Sequence, residues 1–241
     1  MIIIDRYEKR AQLEMENWKV QMRKKPNIID KLSKETQRKM NDILPDQYHN
    51  ILTSAIKNLT NLVLFGSKYI SKPPLKNISL LEREKILKKT TEKYTTTATI
   101  EGAATGAGGI ILGLSDLPLL LSIKIKYLYD VASIYGYDMN DYSERIFVLH
   151  VFQLAFSSRK HMNKIFYRME HWDEYLDTLP KDLSNFEWRE FQEEYRDYID
   201  LAKLLQLLPG IGAFVGSYVN NKLLKKLHTT AKNSYRMRML K

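Results

Sequence analysis

A run of small residues between Thr99 and Asp138 constrains this chain more than any other feature. It holds six of the ten glycines, at 102, 106, 108, 109, 113 and 136, and Asp116 is the only charge between Glu101 and Lys124. Small residues recur at four-residue spacing, as Gly102-Gly106 and Thr105-Gly109-Gly113 show. On a helix such a face has almost no side-chain bulk, so another backbone can approach it closely. Each interior glycine costs about 1 kcal/mol relative to alanine, which packing must offset. Ser115-Asp116 then forms a polar turn, with Asp116 suited to cap the next helix. Pro118 opens a second apolar run where its missing N–H does no harm. The stretch is predicted to be a helical hairpin with a glycine-lined first arm.

The rest of the chain is also predicted to be helical. Residues 5–24 show an irregular apolar side made of Tyr7, Ala11, Leu13, Met15 and Trp18. Further helices are expected over about 29–44 and from about Asp46 to Ile70, bounded by Pro26 and Pro45. Pro73-Pro74 is the clearest break. It suggests a basic N-terminal helical unit, 1–72, ahead of a glycine-rich core with a basic tail, 73–241, unless the two form one continuous domain. Ser79-x-x-Glu82 has the form of a capping box opening a helix. That helix runs through Thr95-Thr96-Thr97 into the glycine stretch, with a kink or loop at the threonines as the alternative. Gly136 stands where a helix would end in a left-handed cap. Asp141-x-x-Glu144 marks another start, before the apolar and buried run Ile146–Phe156. Amphipathic acidic helices are expected at about 161–178 and 185–206. Leu204–Asn221 is free of charge for eighteen residues, and its Gly212-x-x-x-Gly216 is expected to pack against the first small-residue face. No long run reads as a strand, so the fold class is all-α: a multi-helix domain around a central glycine-rich hairpin.

The segment E-G-A-A-T-G-x-G-G from Glu101, D-x-P-x-L from Asp116 and Y-G-Y-D from Tyr135 resemble the signature of the EcsC family. Trp18-Lys19, Ser33-Lys34 with Gln37, and Pro209-Gly210-Ile211-Gly212 with Gly216 and Asn220 extend the resemblance over nearly the whole chain. The family is named for a bacterial protein encoded beside the subunits of an ABC transporter. The resemblance implies a helical protein linked to membrane or transporter processes, and it brings no defined reaction.

Charge narrows the function classes. The net charge is +10, and it is uneven: +9 over 1–99, −1 over 100–160, −5 over 161–203 and +7 over 204–241. Basic ends suit an anionic partner, and the acidic 161–203 segment is the intramolecular alternative. Cysteine is absent, which excludes disulfides, thiol nucleophiles and cysteine metal sites. The N-terminus is too briefly apolar for a signal peptide, so a cytoplasmic location is expected. A transmembrane hairpin is disfavoured because the first arm offers only fourteen residues between Glu101 and Asp116, and a span needs about 20.

Chemistry has few footholds. The five histidines (49, 150, 161, 171 and 228) show no HExxH spacing, so no metal or cofactor is expected. His150 reads as a core histidine. No phosphate loop or nucleophile elbow occurs. Nucleic acid is disfavoured because no recognition motif accompanies the basic segments. Glu101 and Asp116 are the candidate carboxylates for acid–base work, with Lys124, Lys126 or Arg145 as partners for Glu101. The leading expectation is a non-enzymatic protein peripheral to the inner face of the cell membrane, an accessory to an ABC transporter or another membrane process. Its partner would be an anionic membrane surface or a membrane-bound protein. Lys222, Lys225, Lys226, Arg236 and Arg238 would face that partner, and Gly102, Gly106, Gly109 and Gly113 would pack or insert. The competing expectation is a hydrolase-like enzyme with a carboxylate site in the hairpin.

Overall fold

In a computed structural model of the chain, residues 2–24, 54, 59, 63, 72–107, 117–157, 159–178 and 212–240 are described. Their elements are seven α-helices: α1 (Ile2–Arg23), α2 (Leu80–Ala107), α3 (Leu117–Tyr135), α4 (Tyr142–Phe156), α5 (Arg159–Glu170), α6 (Trp172–Leu176) and α7 (Gly212–Met239). No strand occurs among the described residues, and the fold is all-α. The helices expected at 29–44 and 185–206, and the hairpin turn at 108–116, lie outside the described residues.

Local signals set the helix ends. Ser79 and Glu82 close a reciprocal capping box: the Ser79 N–H donates to Glu82 Oε2 at 2.9 Å, and the Glu82 N–H donates to Ser79 Oγ at 3.3 Å. The helix they start is unbroken for 28 residues, through all three threonines and into the glycine stretch. Thr95 and Thr96 return their hydroxyl protons to carbonyls one turn back, Thr91 and Glu92, which keeps them compatible with the helix. At the end of α3, the Tyr137 N–H bonds Ala132 O and the Gly136 N–H bonds Ser133 O, with Gly136 at φ +94. These two bonds make a Schellman cap. Asp141 caps α4 by accepting from the Ser143 N–H at 2.9 Å. Glu144 does not complete a capping box there.

Two expectations need correction. Leu13 does not belong to the buried side of α1, being 63% exposed, whereas Ala11, Met15 and Trp18 are buried. Spacings of four and three residues keep 11, 15 and 18 on one stripe, and residue 13 falls outside it. The helix expected over 161–178 is two helices, because His171 leaves helical geometry at φ −108, ψ 45. The break turns Trp172 into the core, edge-on to Phe147 at 4.9 Å between ring centroids.

The two 28-residue helices, α2 and α7, make the most extensive contact of any pair. They run antiparallel, since Glu84 meets Arg236 and Thr91 meets His228. α7 also touches α1, α3 and α4, so it is the helix around which the rest assembles. α4 is buried on every side from Ile146 to Phe156, as its unbroken apolar run predicts. One apolar core includes Ala11, Met15 and Trp18 of α1, Leu59 and Val63, and residues from all the later helices.

The Schellman glycine yields a direct test. A Cβ at Gly136 would stand 3.0 Å from Leu75 O in a left-handed conformation. Gly136→Ala is expected to cost about 2 kcal/mol by urea unfolding.

Candidate functional site

The basic tail divides into two populations. Lys222, Lys225 and Lys226 lie on the exposed side of α7 at spacings of three and one. Arg236 and Arg238, grouped with them on sequence, are instead committed to internal carboxylates. Arg236 is 1% exposed. Its Nε and Nη2 donate to Glu84 Oε1 and Oε2 at 2.6 and 2.7 Å, and its Nη1 donates to Glu14 Oε2 at 2.9 Å. A guanidinium fork matches a carboxylate in this bidentate way, and burial without such a partner would be prohibitive. Arg238 forms a second fork with Glu144 at 2.6 Å for each bond and lies 3.9 Å above the Tyr137 ring. Neither arginine presents its charge to an external partner.

Glu84 gathers four helices. Tyr7 of α1 donates to it at 2.6 Å and Tyr135 of α3 at 3.1 Å, in addition to Arg236 of α7. Burial alone would raise the Glu84 pKa. The bonds from Arg236 and Tyr7 outweigh burial and hold it below the usual 4.5. Burial and the bond to Glu84 push the Tyr7 hydroxyl up to about 12.

Beside this network a groove opens between α1 and α7. Its polar part is a cavity of about 260 Å³ walled by Glu14, Trp18, His228, Thr229, Lys232 and Asn233, with Arg236 at its base. Next to it lies a cavity of about 330 Å³ walled by Trp18, Met22, Leu154 and Met162, with Lys225, Lys226, Thr229 and Thr230 on the α7 side. Trp18 and Thr229 belong to both walls. Spacing on the two helices explains the lining: 14, 18 and 22 repeat every four residues on α1, and 225, 229 and 232 follow one stripe of α7.

The other sequence candidates are dispersed. Glu101, Gly102 and Gly106 fall within α2, while Gly109, Gly113 and Asp116 lie outside the described residues. Arg145 donates to the carbonyls of Met139 and Asn140. Asp130 is buried and accepts from Lys72 and Tyr94 at 3.0 Å each, tying the 72–76 segment and α2 to α3. His150 is a core histidine. Its Nδ1 lies 2.9 Å from Ile146 O, its ring packs against Trp172 and Tyr175, and burial lowers its pKa to about 4. Among the described residues no group of three or more His, Asp or Glu side chains is arranged to hold a metal ion. Sequence reasoning passed over Glu14, His228 and Lys232. The only signal was their four-residue spacing with Trp18 on α1 and along α7, and nothing local says that those two faces meet.

Comparison with known proteins places this architecture. The model of the EcsC protein family matches residues 9–240. The chain belongs to that family. It is 43% identical over 225 residues to Protein EcsC of Bacillus subtilis (strain 168), covering 93% of this chain and 92% of that one. It is also 27% identical over 248 aligned positions to the Uncharacterized protein YdbA of the same strain, covering 98% of this chain and 90% of that one. No solved structure matches. The family match spans both walls of the groove, from Glu14 on α1 to Arg236 on α7.

Breaking the central pair should be costly. Glu84→Gln leaves the buried guanidinium with the more exposed Glu14 as its remaining carboxylate partner and is expected to cost about 3 kcal/mol in chemical denaturation. The double variant Glu84→Leu/Arg236→Met should lose less than either single change. Stability should also fall with acidity in two stages. His150 and His228 drop from the usual 6.5 to about 4 in the fold, so the unfolded chain takes up protons first. Their contribution is complete above pH 6.5 and is lost as pH falls toward 4. Glu84 adds a loss below pH 4.5. Urea titrations across pH 4–8 should show this, and His150→Phe should reduce the upper stage without removing it.

Proposed function

We propose that this EcsC family protein works without catalysis at an anionic membrane surface, on its cytoplasmic side. The observation that supports this most is the division of the basic tail. Arg236 and Arg238 are paired internally, and Lys222, Lys225 and Lys226 lie on the exposed side of α7. That cationic stripe borders the apolar cavity of Trp18, Met22, Leu154 and Met162. Lysines near a charged leaflet contribute about 1 kcal/mol each, and an adjacent apolar site adds a component that salt does not screen. Among the described residues no helix is long and apolar enough to cross a membrane, so the contact proposed is peripheral. The function expected from the family resemblance, accessory to an ABC transporter or another membrane process, fits a protein held at this surface.

Cosedimentation with vesicles tests the reading. The protein should pellet with phosphatidylglycerol-containing vesicles and not with pure phosphatidylcholine. Lys222→Glu/Lys225→Glu/Lys226→Glu should weaken partitioning on the order of 100-fold at low ionic strength. Arg236→Met should act on stability rather than on lipid affinity per folded molecule. Equal partitioning of the triple variant and the parent would remove the lysine stripe from the mechanism.

A further inference from the structure

The polar cavity contains a histidine held in a triangle of hydrogen-bonding groups. Thr91 Oγ1, Tyr127 Oη and His228 Nδ1 form a triangle with sides of 3.0, 3.0 and 2.9 Å. The one hydroxyl proton of Thr91 is committed to Leu87 O at 2.8 Å. With that proton committed, Thr91 Oγ1 can only accept from its other neighbours. A ring that donates from Nδ1 to Thr91 Oγ1 carries its lone pair on Nε2, whereas Tyr127 donating to Nδ1 would place the ring proton there.

The contacts to Thr91 and Tyr127 are made through Nδ1, and the ring forms part of the wall of the 260 Å³ cavity. The charged groups around it are Lys232 and Arg236 on α7, Glu84 on α2 and Glu14 on α1. Arg236 saturates Glu84, and Glu14 accepts from the same guanidinium. Lys232 stands 3.7 Å from Glu14 and 3.8 Å from Glu84, too far to be locked by hydrogen bonds to either. Burial and the two nearby cations lower the His228 pKa to about 4, so the ring stays neutral at physiological pH.

We infer that the groove between α1 and α7 binds a single-chain amphiphile with a hydroxylated, anionic headgroup. A headgroup hydroxyl donates to His228 Nε2 and the anion lies against Lys232. The acyl chain passes Trp18 into the cavity of Met22, Leu154 and Met162. Three features carry the assignment: a histidine and a lysine at one end, a thioether-rich apolar wall at the other, and Trp18 and Thr229 common to both. Methionine suits a chain of variable shape, since its side chain is unbranched and polarizable. The inference deepens the membrane reading by naming a ligand class, and its test is separate from vesicle binding.

The probe is lysophosphatidylglycerol, titrated calorimetrically into the full chain below the critical micelle concentration. Saturable 1:1 binding is expected, at least tenfold tighter than glycerol phosphate alone. Thr229→Trp places bulk at the junction of the two cavities from an exposed position. It should weaken binding at least tenfold with an unchanged melting temperature. Nitrogen-15 NMR of the free protein should show His228 Nε2 unprotonated, with its resonance shifting upfield as the headgroup hydroxyl bonds to it. Absence of saturable binding, full binding by Thr229→Trp, or a protonated Nε2 in the free protein would each overturn the inference. If vesicle cosedimentation persists while lysolipid binding fails, the groove is wrong and the surface reading stands. The opposite pattern supports the groove and removes the surface reading.

Discussion

The buried fork between Arg236 and Glu84 is the interaction on which the arrangement of helices depends. A guanidinium that is 1% exposed survives only if every side of it is answered by an acceptor. Here the acceptors come from α2 (Glu84) and α1 (Glu14 and the Ala11 carbonyl), while Tyr7 and Tyr135 satisfy the remaining lone pairs of Glu84. Moving α1, α2, α3 or α7 along its axis would strand at least one charge. Apolar packing supplies most of the favourable free energy, but it is tolerant of sliding. The polar fork specifies one register of α2 on α7.

That register has consequences at both ends of α7. At its C-terminal end, Tyr235 lies at 5.3, 5.2 and 5.1 Å from Tyr135, Tyr137 and Phe147, between the two arginine forks. Towards its N-terminal end, the same helix turns Lys222, Lys225 and Lys226 outward. Between the two, His228 and Lys232 reach the groove against α1. A single helix thus provides the anchor of the core, the cationic stripe and one wall of the groove. The exposed lysines and the buried residues that stabilise the fold are accordingly different residues of one element.

The parts of this structure legible in sequence are those decided within a few residues. Ser79-x-x-Glu82, Gly136 and Asp141 act as helix punctuation because their hydrogen bonds reach only two to five positions along the chain. The burial of Ile146–Phe156 was equally plain, since a helix apolar on all sides has nowhere else to go. Leu13 was misplaced because the irregular stripe of α1 admits two apolar faces, and only packing against α7 chooses between them. Glu144 looked like a capping residue until Arg238, 94 positions away, claimed it.

Sequence alone determined the helical class, the helix ends at Ser79, Gly136 and Asp141, and the family, because helix propensity, capping and a contiguous glycine-rich signature are local properties. Tertiary structure decided which charges are buried. Ten net positive charges describe the chain equally well whether a given arginine faces water or a carboxylate. Arg236 and Arg238 are turned inward onto carboxylates of α2, α1 and α4, while Lys222, Lys225 and Lys226, about three to four turns earlier, lie on the exposed side of the helix. The groove at Trp18 and His228 has the same origin. Its walls are 210 residues apart in sequence and meet only because a buried guanidinium required acceptors from both helices.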